Sequence, residues 1–109
     1  MPYLITFASW PGHKSVEVIK KTYEVLKKFP EDKSLGENLT PGNALKGTKE
    51  GFQSITVQKI NKGKLEEAYS RSIGVVNFYA MAIEGFDYKV EIWSTNDEAY
   101  GSIGQKPPK

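Results

Sequence analysis

The chain has 109 residues, 39% hydrophobic and 26% charged, with a net charge of +2. That is the length of one domain and the balance of a globular protein, not of a disordered chain. With no cysteine, disulfides, thiol nucleophiles, zinc fingers and iron–sulfur clusters are excluded.

Tyr3 to Trp10 reads as the first strand, rich in aromatic and branched residues and ended by Pro11-Gly12. Ser15 to Phe29 reads as a helix. Val16, Ile19, Tyr23, Leu26 and Phe29 recur at spacings of three and four and form one apolar stripe, which Val18, Thr22 and Val25 widen. Glu17–Lys21 and Glu24–Lys28 stand at i,i+4 with the acid first, the favourable order, so the lysine cluster reads as a solvated face. Pro30 stops the helix.

Glu31 to Gly42 is polar and punctuated by Gly36 and Pro41-Gly42, which predicts a loop with one short helical turn around Lys33 to Leu39. Asn43 to Thr48 is the expected second strand. A turn at Lys49-Glu50-Gly51, with glycine where positive φ is needed, leads into a third strand from Phe52 to Ile60.

After a break at Asn61 to Gly63, Lys64 to Ile83 reads as the second helix. Its second half is apolar nearly all round, so it is expected to be the more buried of the two. Gly85 ends it. Phe86 to Ser94 alternates as a fourth strand, with Tyr88, Val90 and Ile92 on one side and Lys89, Glu91 and Trp93 on the other. Thr95-Asn96-Asp97-Glu98 fits a capping box before a short helix. Residues 1–104 thus form one domain, and residues 105–109 are expected to be a disordered tail.

The element order βαββαβ is that of an α+β, ferredoxin-like domain with a four-stranded antiparallel sheet and both helices on one face. Right-handed crossovers place the first and third strands in the centre. Ile5, Phe7, Ile55, Val57, Tyr88, Val90 and Ile92 are expected to point at the helices. The open face then carries Thr6, Ala8, Trp10, Phe52, Ser54, Thr56, Gln58, Lys89, Glu91 and Trp93. Trp10 and Phe52 are expected to meet at one end of the sheet, and Trp93 to lie at the other, near Tyr3. Such aromatics on an open face need a cover. Either they pack under the long loop or the C-terminal helix, or two sheets meet in a homodimer and enclose a ligand cleft.

The succession of strand Tyr3 to Trp10, helix to Phe29, hairpin to Ile60, helix to Gly85 and strand Phe86 to Trp93 resembles the dimeric α/β-barrel superfamily. That superfamily includes antibiotic-biosynthesis-monooxygenase-like and stress-responsive small proteins. The resemblance implies a homodimer in which two sheets face each other around a cavity. It also implies a range of activities from oxidation, dechlorination or isomerisation of small aromatics to none known, and it transfers no functional residue.

His13 is the only histidine. Just after the first strand and beside Trp10, it is the one candidate general base near neutral pH, set against an inert loop histidine. Haem would need it as an axial ligand, and the reading expects no cofactor. The adjacent acids Glu31-Asp32 and Asp97-Glu98 diverge and read as capping or solvated groups, so no metal site is expected. No nucleophile elbow and no phosphate-binding glycine loop occurs.

RNA-recognition motifs share the βαββαβ order. Here Glu50 replaces their basic residue, and Ser54 and Val57 stand where stacking aromatics belong. Arg71 is the only arginine against 14 lysines, so no nucleic acid is expected. The longest mostly apolar run, Ile73 to Ile83, is short of the ~20 residues of a membrane span, and the N-terminal residues lack a signal-peptide pattern. A cytoplasmic protein without membrane contact is expected.

Three functional readings follow. The first is a homodimeric binder of a small apolar or aromatic molecule, lined by Trp10, Phe52, Thr56, Glu91 and Trp93. The second is a cofactor-independent monooxygenase or isomerase-type enzyme on a small aromatic compound, with His13 as base. The third is a structural interaction module.

Overall fold

The computed structural model describes residues 1–40 and 43–108. The expected Pro41-Gly42 break and the last residue of the expected tail, Lys109, lie outside them. Residues 105–108 carry no regular structure.

The chain runs β1 (Tyr3–Pro11), a single 3-10 turn (Gly12–Lys14), α1 (Ser15–Lys28), β2 (Gly36–Asn38), β3 (Ala44–Gly47), β4 (Gly51–Ile60), α2 (Leu65–Ala80), β5 (Asp87–Trp93) and α3 (Asn96–Gly101). It is an α+β domain with an open antiparallel sheet of five strands, ordered β2-β4-β1-β5, with β3 pairing β4 beside β2. The two long strands β1 and β4 are central, as the crossover argument requires.

The strand count and element order differ from the four-stranded βαββαβ expectation. The expected helical turn around Lys33 to Leu39 is instead a turn followed by β2. Asp32 accepts hydrogen bonds from the amide and the hydroxyl of Ser34. Gly36, Glu37 and Asn38 then pair with Ile60, Lys59 and Gln58. Three polar residues carry no alternation, so only the edge of β4 makes them a strand. Gly36 is required there, because a Cβ would run into the Lys59 carbonyl.

The larger correction concerns which side of each strand faces the helices. Directly paired residues share a face, and the register pairs Ile5 with Glu91 and Phe7 with Lys89, but Thr6 with Val90 and Ala8 with Tyr88. Across the other seam Thr6 meets Thr56, Ala8 meets Ser54 and Trp10 meets Phe52. Thr6, Ala8, Trp10, Ser54 and Thr56 therefore lie under the helices with Tyr88 and Val90. Ile5, Phe7, Ile55 and Val57 lie on the open face with Lys89, Glu91 and Trp93. The expectation was right for β5 and inverted for β1 and β4. In β1 and β4 the helix-facing set is the more polar one, with Thr6, Ser54, Thr56 and Gln58 among Ala8, Trp10 and Ile60, so reading the more apolar set as the inner one inverts both strands.

The helix-side core is small. Leu4 and Ile60 are 0% and 1% exposed, and they pack with Leu35 and Ala68, with Leu65 and Val90 against them. Helix α1 turns Val18 and Val25 inward, whereas Val16, Ile19, Tyr23 and Leu26 are 57–67% exposed. The inward stripe is thus Val18, Thr22, Val25 and Phe29, whose spacing of four, three and four suits a helix equally well. The rotation also changes the ion pairs: Lys14–Glu17 and Lys21–Glu24 close at i,i+3, at 3.3 and 3.1 Å. Lys21 is drawn over the Phe78 ring at 4.2 Å.

Candidate functional site

Because α1 meets α2 and stands off the sheet, a cleft of about 780 Å³ opens between the helices and the sheet. Its floor is Thr6 and Ala8 of β1 with Ser54, Thr56 and Gln58 of β4. Its walls are Val18, Thr22 and Val25 of α1 and Ser72, Val76 and Tyr79 of α2. The volume is in the range that holds a small organic ligand.

The polar groups of this cleft fall into two kinds. Some are tied to the protein. Thr22 Oγ1 donates to the Val18 carbonyl at 2.8 Å. Its single proton is thereby used, so the 2.6 Å contact with Tyr79 has the Tyr79 hydroxyl as donor. Burial pushes the Tyr79 pKa up, and the Thr22 contact opposes this only in part; Tyr79 is therefore a neutral hydroxyl near pH 7. Thr56 Oγ1 donates to Asn43 Oδ1 at 2.8 Å. Arg71 Nη2 donates to the Phe29 and Pro30 carbonyls at 2.8 and 3.2 Å, closing the C-terminal end of α1.

The others, Thr6, Ser54, Gln58 and Ser72, show no side-chain hydrogen bond among the described residues, and all four border the cleft. Ser54 and Ser72 are nevertheless buried as residues. Among the described residues no buried side-chain polar atom is left without a partner, so these hydroxyls are open to the cleft, where water or a ligand completes their bonding.

One end of the cleft is aromatic. Trp10 stacks on Phe86 with centroids 6.1 Å apart and meets Phe52 at 6.2 Å, and Phe86 stacks on Tyr79 at 5.0 Å. Trp10 Nε1 donates to Ser15 Oγ at 3.2 Å, which ties the end of β1 to the start of α1. Trp10 and Phe52 meet as expected, but beneath the helices and not on the open face.

The expected site residues separate accordingly. Trp10 and Thr56 line the cleft. Phe52 lines a shallower hollow of about 390 Å³ that shares Trp10. Glu91 and Trp93 lie on the opposite face of the sheet, where Trp93 Nε1 donates to Glu91 at 3.0 Å and Lys89 pairs with Glu91 at 3.4 Å. Trp93 pairs with Tyr3 at that end of the sheet, as expected. His13 is exposed in the turn after β1 and lines neither hollow.

Sequence reasoning missed Thr22, Arg71, Ser72 and Tyr79. Tyr79 and Ser72 read as ordinary members of an apolar helix face. The one available signal was polarity inside an otherwise apolar stripe. Among the described residues no group of three or more His, Cys, Asp or Glu side chains converges as metal ligands, and no helix is long and apolar enough to cross a membrane. Comparison with family models, curated proteins and solved structures gives no match to this chain.

Proposed function

We propose that this chain is a small-molecule-binding protein and that the cleft between its sheet and helices is the binding site. The observation that carries the reading is the pairing of apolar helix walls with Ser54 and Ser72, two largely buried residues whose hydroxyls open to the cleft. That combination suits an uncharged, largely apolar or aromatic ligand bearing one or two hydrogen-bonding groups, which orient it while the walls supply the burial. Tyr79, held neutral, faces such a ligand as a hydrogen-bonding group without charge. His13 has no part in this reading, because it is exposed in the turn after β1.

The resemblance to dimeric α/β barrels adds a homodimer, and the open face supports it. Phe7, Ile55 and Val57 are half-buried around a buried Ile5 on that face, with Tyr3 and Trp93 at one end, and Trp93 is 54% exposed. Two such faces in contact would cover this surface and leave each cleft on the outside of its own sheet.

Native mass spectrometry of the purified protein, followed by titration of released or candidate aromatic compounds, tests the site. Trp10 is the reporter: binding is expected to change its fluorescence in a Trp93→Phe background. Ser72→Leu, which fills the cleft from α2, is expected to abolish the change. A Ser72→Leu protein that binds as tightly as the parent would place the ligand elsewhere. A panel of apolar and aromatic compounds that leaves Trp10 unaffected would reject the reading.

A further inference from the structure

The sheet ends on β5, and among the described residues no strand pairs with its outer side. The Tyr88 amide donates to the Asp87 carboxylate at 2.9 Å, so it is not engaged with β1. In an antiparallel ladder, inward and outward residues alternate. Tyr88, Val90 and Ile92 therefore direct their amides and carbonyls outward, while Asp87, Lys89, Glu91 and Trp93 bond β1. An edge of seven residues with outward backbone groups is a template for another strand unless a proline or bulge blocks it, and the β5 sequence DYKVEIW contains no proline.

The side chains of this edge are ordered symmetrically in charge. Lys89 and Glu91 flank Val90 on the same face and pair with each other at 3.4 Å. We propose that β5 pairs antiparallel with β5 of a second copy about a twofold axis at Val90, joining the two sheets edge to edge. In that register Val90 meets its own counterpart and Tyr88 meets Ile92 as hydrogen-bonded pairs that use the outward groups, the Tyr88 amide exchanging the Asp87 carboxylate for the partner's carbonyl. Lys89 meets Glu91 twice, in the closer non-hydrogen-bonded pairs with Cα atoms about 4.5 Å apart. Ile92, half exposed on the helix side, comes to lie against Tyr88.

The charges also select this register over its neighbours. Centring the axis on Lys89 sets lysine against lysine and Glu91 against Asp87. Centring it on Glu91 sets glutamate against glutamate. Like charges directly opposite one another are destabilising, so of these three only the Val90 centre is complementary. An axis at Tyr88 also opposes Asp87 and Lys89 but pairs only residues 87–89 of the strand, against all seven for the Val90 centre. This contact uses the edge of the sheet and is independent of both the cleft and any pairing of open faces.

The chain has no cysteine, so single introduced thiols report the register directly. Lys89→Cys and Glu91→Cys proteins, mixed and mildly oxidised, are expected to give the mixed disulfide in roughly fivefold excess over either homodisulfide, since only the 89–91 pair falls within bonding distance. Lys89→Glu and Glu91→Lys are each expected to weaken association about tenfold, and the double variant to restore it. Val90→Pro removes an outward amide that β1 does not use, at the cost of the Val90 packing on the core, and in the folded variant the mass in light scattering is expected to halve. Pairing of open faces would leave that mass unchanged, which separates the two associations. Equal yields of the three disulfides, absence of all three, or an unaltered mass in a folded Val90→Pro protein would overturn the proposal.

Discussion

Tyr79 shows how one atom can connect two helices and a cavity. Its hydroxyl donates to Thr22 on α1, its ring stacks on Phe86, and its side chain borders the cleft. Replacing it with phenylalanine keeps the stack and removes the link. The expected cost is about 1 kcal/mol, the net value of a hydrogen bond whose partner can still bond elsewhere, because Thr22 keeps its bond to Val18. Urea denaturation measures this, and an unchanged midpoint would show that the link contributes nothing to stability. Trp10 and Thr56 stand out in the sequence, though for the open face, and the register sets them beside the cleft instead. Their companions do not, because a hydroxyl within an apolar helix face reads the same whether it meets a core or a cavity.

At the scale of elements, α1 depends on its ends. Arg71 accepts the role of a C-terminal cap by reaching the Phe29 and Pro30 carbonyls. Arg71→Met keeps much of the aliphatic stem and removes both bonds, with an expected cost of about 1.5–3 kcal/mol. Hydrogen exchange should then speed most in the last turns of α1, and a uniform change along the chain would argue against a local cap. Helix α3 is closed by a capping box in which Thr95 Oγ1 accepts from the Glu98 amide and the Glu98 carboxylate accepts from the Thr95 amide.

That second bond holds the Glu98 pKa below its ordinary value of 4.5. A depressed carboxyl pKa stabilises the fold above the unfolded value and loses that contribution as pH falls through the folded value. The helical signal of residues 96–101 should therefore fade on acidification below pH 4.5, and Glu98→Gln should flatten the dependence. This capping box was plain in the sequence, because all its partners lie within four residues. The inward side of α1 was not, since two overlapping stripes satisfy the same period and only the position of α2 and the sheet chooses between them.

For the whole molecule, the helices cover the more polar face of the central strands and leave the more apolar one without a helix. That open face, centred on Ile5 and Phe7, is the surface the proposed homodimer would cover. Phe7→Glu puts a charge at its centre, where Lys89 now lies over the Phe7 ring at 4.8 Å. The variant is expected to stay folded, because Phe7 lies outside the helix-side core of Leu4 and Ile60, and to lose the open-face pairing, so that its mass in light scattering halves. A variant that retains the parent's mass would remove the open face from the interface.

The strands β1, β4 and β5, the three helices and the absence of thiol chemistry are written in local patterns of period, capping residues and composition. They follow from interactions within a few residues, which a sequence displays directly. Strand β2, the face each central strand turns inward, the rotation of α1 and the cleft itself depend on contacts between residues far apart in the chain. A one-residue offset between β1 and β5 inverts every side chain of one strand relative to the other. For that reason Thr6 could be placed on a strand from the sequence, but under the helices only from the register that sets it against Val90.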